Sequence, residues 1–178
     1  MPYAVELFFN TECEAAIRRI WHDLADAGVE STMLDIRSRP HLTLAVFEEV
    51  QLDEMCGGLD HFGRDISPFP VFFSSVGFFP TERGIVFLAA GATPTLLETH
   101  AGFYRRFGDL GSGAWRIYLP GRWVPHSTLA TDVADELVPK AVSVARRAAL
   151  PIEGTVRELA VVSFRPVDYL YTCPLSAE

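Results

Sequence analysis

Two hexapeptides of nearly the same sequence, PHLTLA at Pro40–Ala45 and PHSTLA at Pro125–Ala130, decide the fold. They hold two of the chain's five histidines, His41 and His126, which lie 85 positions apart in matching surroundings. The match is either an accident of strand composition or the mark of two segments that face each other across one site. The rest of the sequence favours the second explanation.

The spacing within each copy suits a site on one face of a sheet. Side chains alternate between the two faces of a strand, so His41 and Thr43 point the same way. Two residues along a strand span roughly 6.5–7 Å, so an imidazole and a hydroxyl can reach one phosphate-sized group. His126 and Thr128 repeat this arrangement. One such pair is more often an ordinary piece of strand, but two copies with matching flanks predict a convergent site.

The elements around the hexapeptides repeat as well. Each half is predicted to run strand, helix, hexapeptide strand, helix, strand, and one more strand follows. The predicted strands are 3–9, 40–47, 69–79, 84–90, 125–130, 155–164 and 168–173, and the predicted helices are 11–27, 53–62, 93–107 and 135–150. Thr11 and Glu14 predict a capping box for the first helix, and Thr93 with Pro94 predicts the start of the third. We expect a single domain, residues 1–178, with lobe one at about 1–80 and lobe two at about 81–178.

Composition excludes several classes of protein. Hydrophobic residues make up 49% and charged residues 21% of the 178 positions, as in ordinary globular proteins. The net charge of −8 argues against a large nonspecific nucleic-acid surface. Three widely spaced cysteines without a CxxC pair favour neither a disulfide framework nor a thiolate zinc site. The N-terminal residues lack a secretory pattern and no long apolar run is present, so we expect a cytoplasmic protein.

The two His-x-Thr-x motifs, residues 41–44 and 126–129, resemble those that define the 2H phosphoesterases, also called the 2′-5′ RNA ligase-like superfamily. The segment VGFFP, residues 76–80, is similar to a Gly-x-Phe segment of that family. The resemblance covers nearly the whole chain. It implies a bilobal α+β fold, in which two pseudo-twofold-related lobes of antiparallel sheet with outer helices surround a central cleft. It also implies chemistry, without a metal or other cofactor, at 2′,3′-cyclic phosphates or 2′-5′-linked nucleotide or RNA ends.

This chemistry needs a base for the attacking water and an acid for the leaving ribose oxygen, on opposite sides of phosphorus. Imidazole has an ordinary pKa of about 6.5, so a neutral and a charged ring coexist near neutral pH. His41 and His126 are therefore the predicted acid–base pair, and Thr43 and Thr128 are predicted to donate hydrogen bonds to the non-bridging oxygens. The sequence does not decide which histidine is the acid, and the roles exchange between hydrolysis and ligation.

Arg39 and Arg122 precede the two motifs and are the predicted substrate-binding residues, although a surface role is equally open. Where some bacterial relatives carry a basic residue just after the second motif, this chain has Ala130, Thr131 and Asp132. Core packing is favoured over base stacking for three aromatic residues, which are Phe47, Tyr118 and Trp123.

Two other functions are compatible with the same residues. A binding module could recognise a cyclic phosphate without turning it over, although binding alone would not need two proton-transfer groups. A metallohydrolase could use His41 and His126 as ligands, but nearby carboxylates are missing from the motifs. The expected partner is a small nucleotide or an RNA terminus bearing a cyclic phosphate, bound by a monomer that contacts no membrane and holds no metal.

Overall fold

The computed structural model describes residues 2–164 and 166–176. Within them the chain forms a large antiparallel sheet, a two-stranded ribbon and surrounding helices. The strands are β1 (Tyr3–Phe9), β2 (His41–Phe47), β3 (Glu49–Val50), β4 (Phe69–Phe79), β5 (Gly84–Ala90), β6 (Gly111–Ser112), β7 (His126–Val133), β8 (Ile152–Ser163) and β9 (Asp168–Pro174). The helices are α1 (Thr11–Asp26), α2 (Thr32–Asp35), α3 (Leu52–Arg64), α4 (Pro94–Phe107) and α5 (Val138–Ala145). No helix in this described part of the chain is long and apolar enough to cross a membrane.

The large sheet has the order β2-β1-β8-β4-β5-β7, with β9 added to β8, and every neighbouring pair is antiparallel. The first parts of β4 and β8 pair with each other at the middle of the sheet. Each of these two strands then continues beside a strand from the other half of the chain, β4 beside β5 and β8 beside β1, so the halves exchange strands. This duplicated antiparallel arrangement with outer helices confirms the predicted α+β fold class.

The two motif strands, β2 and β7, lie at the two ends of the strand order and also contact each other. The alternation predicted from the hexapeptides is present in both. Leu42, Leu44 and Leu129 are buried in the main core, whereas the motif histidines and threonines are half-buried. In each strand the pairing register skips the leucine after the threonine, which is a β-bulge. The two motifs therefore match in backbone geometry as well as in sequence.

Most predicted elements are present, with two corrections at helix ends. The prediction of a capping box at Thr11 and Glu14 is wrong, because Asn10 is the N-cap residue and Thr11 already belongs to α1. The Asn10 side chain instead accepts a hydrogen bond from the Thr155 N–H at 2.8 Å. The helix predicted for 135–150 is shorter and ends at Ala145. The predicted Thr93 cap of α4 is confirmed, since its hydroxyl accepts from the main-chain N–H three residues ahead.

Candidate active site

Both motif histidines are held in the same way. The Nδ1–H of His41 donates to the main-chain carbonyl oxygen of Arg39 at 2.6 Å, and that of His126 donates to Val124 at 2.7 Å. Each acceptor lies two residues before its histidine. Because a carbonyl can only accept, this bond assigns the hydrogen to Nδ1 and leaves Nε2 as the nitrogen that can give or take a further proton.

The four predicted catalytic residues line one cleft. A cavity of about 180 Å³ is lined by His41, Thr43 and Thr128. A neighbouring cavity of about 730 Å³ is lined by Thr128 and His126. The walls common to both cavities are Met33, Ile36, Trp115, Tyr118, Thr128, Thr131, Phe164 and Val167. The structure thus brings the two motifs together, while their catalytic roles stay a prediction.

The surroundings of His126 are mainly apolar. Its ring lies edge-on to Phe79 at 5.0 Å between ring centres and at 5.1 Å from Phe87. Burial lowers the pKa of His126, and the charge of His41 lowers it further, while the hydrogen bond to the Val124 carbonyl acts in the opposite direction. The ring is therefore biased towards the neutral form that a general base needs.

A buried carboxylate that sequence reasoning missed faces the other histidine. Glu6, on β1, is 7% exposed, and its Oε1 lies 3.5 Å from Nε2 of His41. Burial raises the pKa of Glu6, against the opposing effects of the charges on His41 and Arg39. An acidic residue in the middle of an otherwise hydrophobic strand was the available signal, since a charge there needs a partner or a function.

The core packing favoured for Tyr118 from the sequence is wrong, because Tyr118 lines the cleft. It ends a short 3₁₀ turn and its hydroxyl lies beside Thr43. Burial raises the pKa of Tyr118 to about 12, so the phenol stays a neutral hydrogen-bond donor. The core packing favoured for Phe47 and Trp123 is present: Phe47 is fully buried, and Trp123 stacks on the buried His100 at 4.0 Å.

The two predicted substrate-binding arginines have different environments. Arg39 places its guanidinium against Glu14 and Glu158 and over a phenylalanine ring on β1, with 2.8 Å to the Glu14 carboxylate. Arg122 is exposed and lines a cavity of about 270 Å³ next to His126. Arg39 already has two carboxylate partners, whereas Arg122 is open to a ligand. A role in phosphate binding stays a prediction for both.

A comparison with family models decides to which family the chain belongs. The model of the 2′-5′ RNA ligase superfamily matches residues 11–168, which is most of the chain. The chain belongs to this superfamily. The family predicted from the paired His-x-Thr-x motifs is confirmed. No curated protein sequence matches the chain.

Several solved structures share the fold over nearly the whole length of the chain. TT0787 of Thermus thermophilus is 22% identical with a TM-score of 0.61, and each chain is covered over 100% of its length. E. coli LigT complexed with 3′-AMP is 19% identical with a TM-score of 0.61, covering 98% of this chain and 99% of that one. Usb1 of Kluyveromyces marxianus is 11% identical with a TM-score of 0.51, covering 96% and 97%. At these identities the likeness shows the fold.

Two tryptophans connect the superfamily motifs across the halves of the chain. The indole N–H of Trp21, from the first half, donates to the carbonyl oxygen of Thr128 at 3.0 Å. The indole N–H of Trp123, from the second half, donates to the carbonyl oxygen of Thr43 at 3.0 Å. Each motif threonine is therefore held in place by the half of the chain that carries the other motif.

We expect Trp123→Phe to lower kcat about 10-fold, because losing the bond to Thr43 lets β2 shift relative to the cleft. The free energy of unfolding should fall by about 1–3 kcal/mol, since the carbonyl loses its donor. Steady-state kinetics and thermal unfolding measure the two effects. Phe107→Leu is the control, because Phe107 is buried in the cluster of α3 and α4, and its loss should lower stability while kcat is retained. A proportional loss of kcat in both variants would contradict the specific role of Trp123.

Proposed function

We propose that the protein is a metal-independent phosphodiesterase that opens 2′,3′-cyclic phosphates or cleaves 2′-5′ linkages at a nucleotide or RNA end. Formation of a 2′-5′ linkage by ligation is the reverse reaction. One observation carries the proposal. His41 and His126, from opposite ends of the sheet, line one cleft with both Nδ1 atoms occupied by main-chain carbonyls. Two imidazoles so fixed can act as acid and base on one phosphorus.

The reaction follows from these groups. One neutral imidazole takes a proton from water as the new bond from oxygen to phosphorus forms, and the charged imidazole gives its proton to the ribose oxygen as that oxygen leaves. Thr43 and Thr128 donate hydrogen bonds to the non-bridging oxygens, where negative charge is held. Tyr118 lies beside Thr43 and supplies a further neutral donor at the same place.

A nucleotide end suits the remainder of the cleft. E. coli LigT has been solved with 3′-AMP, NADP⁺ and ATP, and Usb1 of Kluyveromyces marxianus with uridine monophosphate. We propose that a nucleotide end binds here, with Arg122 beside the phosphate or a neighbouring group. We further propose a cytoplasmic monomer, and size-exclusion chromatography with light scattering checks the oligomeric state.

The test is an assay of the purified protein on the four nucleoside 2′,3′-cyclic monophosphates and a 2′-5′ dinucleotide, with EDTA present. We expect turnover that survives the chelator and a bell-shaped dependence of kcat/KM on pH, because one imidazole must be neutral and the other charged. The residues that the structure describes hold no group of three His, Cys, Asp or Glu side chains placed for a metal ion. Tight binding without turnover of any substrate would favour a binding module, and loss of activity in EDTA would contradict the proposal.

A further inference from the structure

The two motifs match in sequence and backbone, but the strands beside them differ at one position. Opposite Thr43, β1 places Glu6, and opposite Thr128, β5 places Phe87. Both positions adjoin the bulge that follows the threonine. The pseudo-twofold relation of the halves makes these two positions equivalent. One holds a carboxylate and the other an aromatic ring.

The next strand leaves room for each of these side chains. Gly77 on β4 pairs with Phe87, and a Cβ at Gly77 would lie 2.6 Å from the Phe87 ring. On the other side, the small residue Ala160 of β8 pairs with Glu6. The Gly-x-Phe segment therefore has a physical role, because Gly77 accommodates Phe87 while Phe79 packs against His126.

The difference gives the two histidines unlike partners. His41 has a buried carboxylate 3.5 Å from its Nε2, a distance too long for a strong hydrogen bond but short for two opposite charges in a buried site. His126 has the rings of Phe79 and Phe87 at about the same position. A carboxylate favours the charged imidazole, and an apolar environment favours the neutral one.

We propose that Glu6 is a positioning residue that holds a proton on His41, which makes His41 the general acid and His126 the general base. The inference rests on the proposed phosphodiesterase function and deepens it, because it assigns the two roles that the motifs alone leave equivalent.

In this assignment the Nε2 of His126 takes a proton from water while the oxygen of that water bonds to phosphorus. The bond from phosphorus to the ribose oxygen breaks, and the Nε2–H of His41 gives its proton to that oxygen. The products are a phosphomonoester and a free ribose hydroxyl. Exchange of one proton with solvent at each ring restores the starting state for the next turnover.

The other charged groups near the pair fit this assignment. Arg39 also lowers the pKa of Glu6, but its guanidinium is held by Glu14 and Glu158. The phenols that face Glu6 belong to Tyr118 and Tyr169, and burial raises the pKa of both, which keeps them neutral. On the His126 side, the charged residues lining the cavity in the described part of the chain are Glu82, Arg83 and Asp132. Among the residues that the structure describes, His41 is thus the titratable group whose side chain lies within 3.5 Å of the Glu6 carboxylate.

The buried carboxylate of Glu6 lowers the stability of the folded protein. A purely structural residue would raise it, so a stability measurement distinguishes the two roles of Glu6. Burial raises the pKa of Glu6, so the folded state binds this proton more tightly than the unfolded state. The contribution of this group to stability is therefore present at acid pH and is lost as pH rises through the raised pKa. A glutamine carries no such penalty, so Glu6→Gln should unfold at a higher temperature than the wild type at neutral pH.

The experiment compares Glu6→Gln, Glu6→Asp and the control Glu12→Gln, which removes an exposed carboxylate of α1 outside the cleft. We expect Glu6→Gln to lower kcat about 10- to 100-fold without raising KM, and to move the alkaline limb of the pH profile to lower pH. Glu6→Asp should recover part of the rate and of the profile. The control should keep the wild-type pH profile.

Three results would overturn the proposal: an unchanged pH profile in Glu6→Gln, a shift of the acid limb alone, or a fall in melting temperature that accounts for the loss of rate. A substrate-independent measurement keeps the test separate from that of the function. In NMR titrations, with the His41 signal identified by its loss in His41→Ala, replacing Glu6 by glutamine should move the His41 transition to lower pH and leave His126 nearly unchanged. If the wild type shows no turnover but the His41 transition moves in Glu6→Gln, the phosphodiesterase function is rejected and the coupling of Glu6 to His41 is retained. If the His41 transition does not move, the coupling is rejected.

Discussion

Replacing either His41 or His126 by alanine should lower kcat for opening a cyclic phosphate by about 10²–10⁴-fold. Each ring is expected to carry one of the two proton transfers, and its Nδ1 bond to a main-chain carbonyl leaves Nε2 as the nitrogen for that step. Both rings are half-buried at the edge of a cleft, so alanine should be tolerated by the fold. Steady-state kinetics on a nucleoside 2′,3′-cyclic monophosphate, together with melting temperatures, test the prediction.

His22→Ala is the control for these variants, because His22 is exposed on α1 and does not line the cleft. It should keep wild-type kcat and KM. The effects of His41→Ala and His126→Ala on kcat should also be far from additive, because the loss of either proton-transfer group already prevents concerted acid–base catalysis. Retention of the full rate by both single variants would end the two-histidine assignment.

Thr43→Val and Thr128→Val should each lower kcat by about 10²-fold. Valine keeps the shape and strand preference of threonine but removes the hydroxyl that donates to a non-bridging oxygen. The loss should appear in kcat more than in KM, because the charge on those oxygens is highest in the transition state. The same steady-state assay measures it, and Thr→Ser at either position should recover most of the rate.

Ser127→Ala is a matched control within the second motif. Ser127 lies between the two functional positions but is turned to the opposite face, where it is buried. Its loss should leave kcat unchanged. An equal fall in kcat for Ser127→Ala and Thr128→Val would mean that disturbance of strand β7, and not loss of the Thr128 hydroxyl, lowers the activity.

The strands and the direction of the motif side chains could be predicted because they depend on local pattern. The alternation of His41-Leu42-Thr43-Leu44 follows from the geometry of any half-buried strand. Repetition of the pattern at His126 then indicates two equivalent strands, and the pseudo-twofold arrangement brings them to one cleft. The predicted strands at 3–9, 69–79 and 84–90 agree with β1, β4 and β5.

The remainder of the site depends on contacts between distant residues, which no local pattern reveals. The space for Glu6 is provided by Ala160 on β8, and the donor to Thr128 is Trp21 on α1. Tyr118 lies in a short turn without periodicity, so nothing in its neighbours indicated that it would line the cleft.

The two arginines illustrate the same limit. Arg39 and Arg122 stand at similar places before their motifs, and the sequence alone assigns them equal weight. The structure distinguishes them because Arg39 meets Glu158 of β8, which is 119 positions away. The helix cap at Asn10 was also misassigned for a long-range reason, since its side chain bonds to Thr155.

The exchange of strands between the halves has a consequence for how the molecule is made. The pairing of β1 with β2, and of β4 with β5 and β5 with β7, makes two half-sheets that contain no residue of β8. β8 joins them, and it is translated after both histidine strands. Because β8 lies between β1 and β4, we expect the two half-sheets to form one sheet only after this strand has been synthesised. A chain that ends before residue 152 would therefore carry both histidine motifs but lack the strand that joins them and lines part of the cleft.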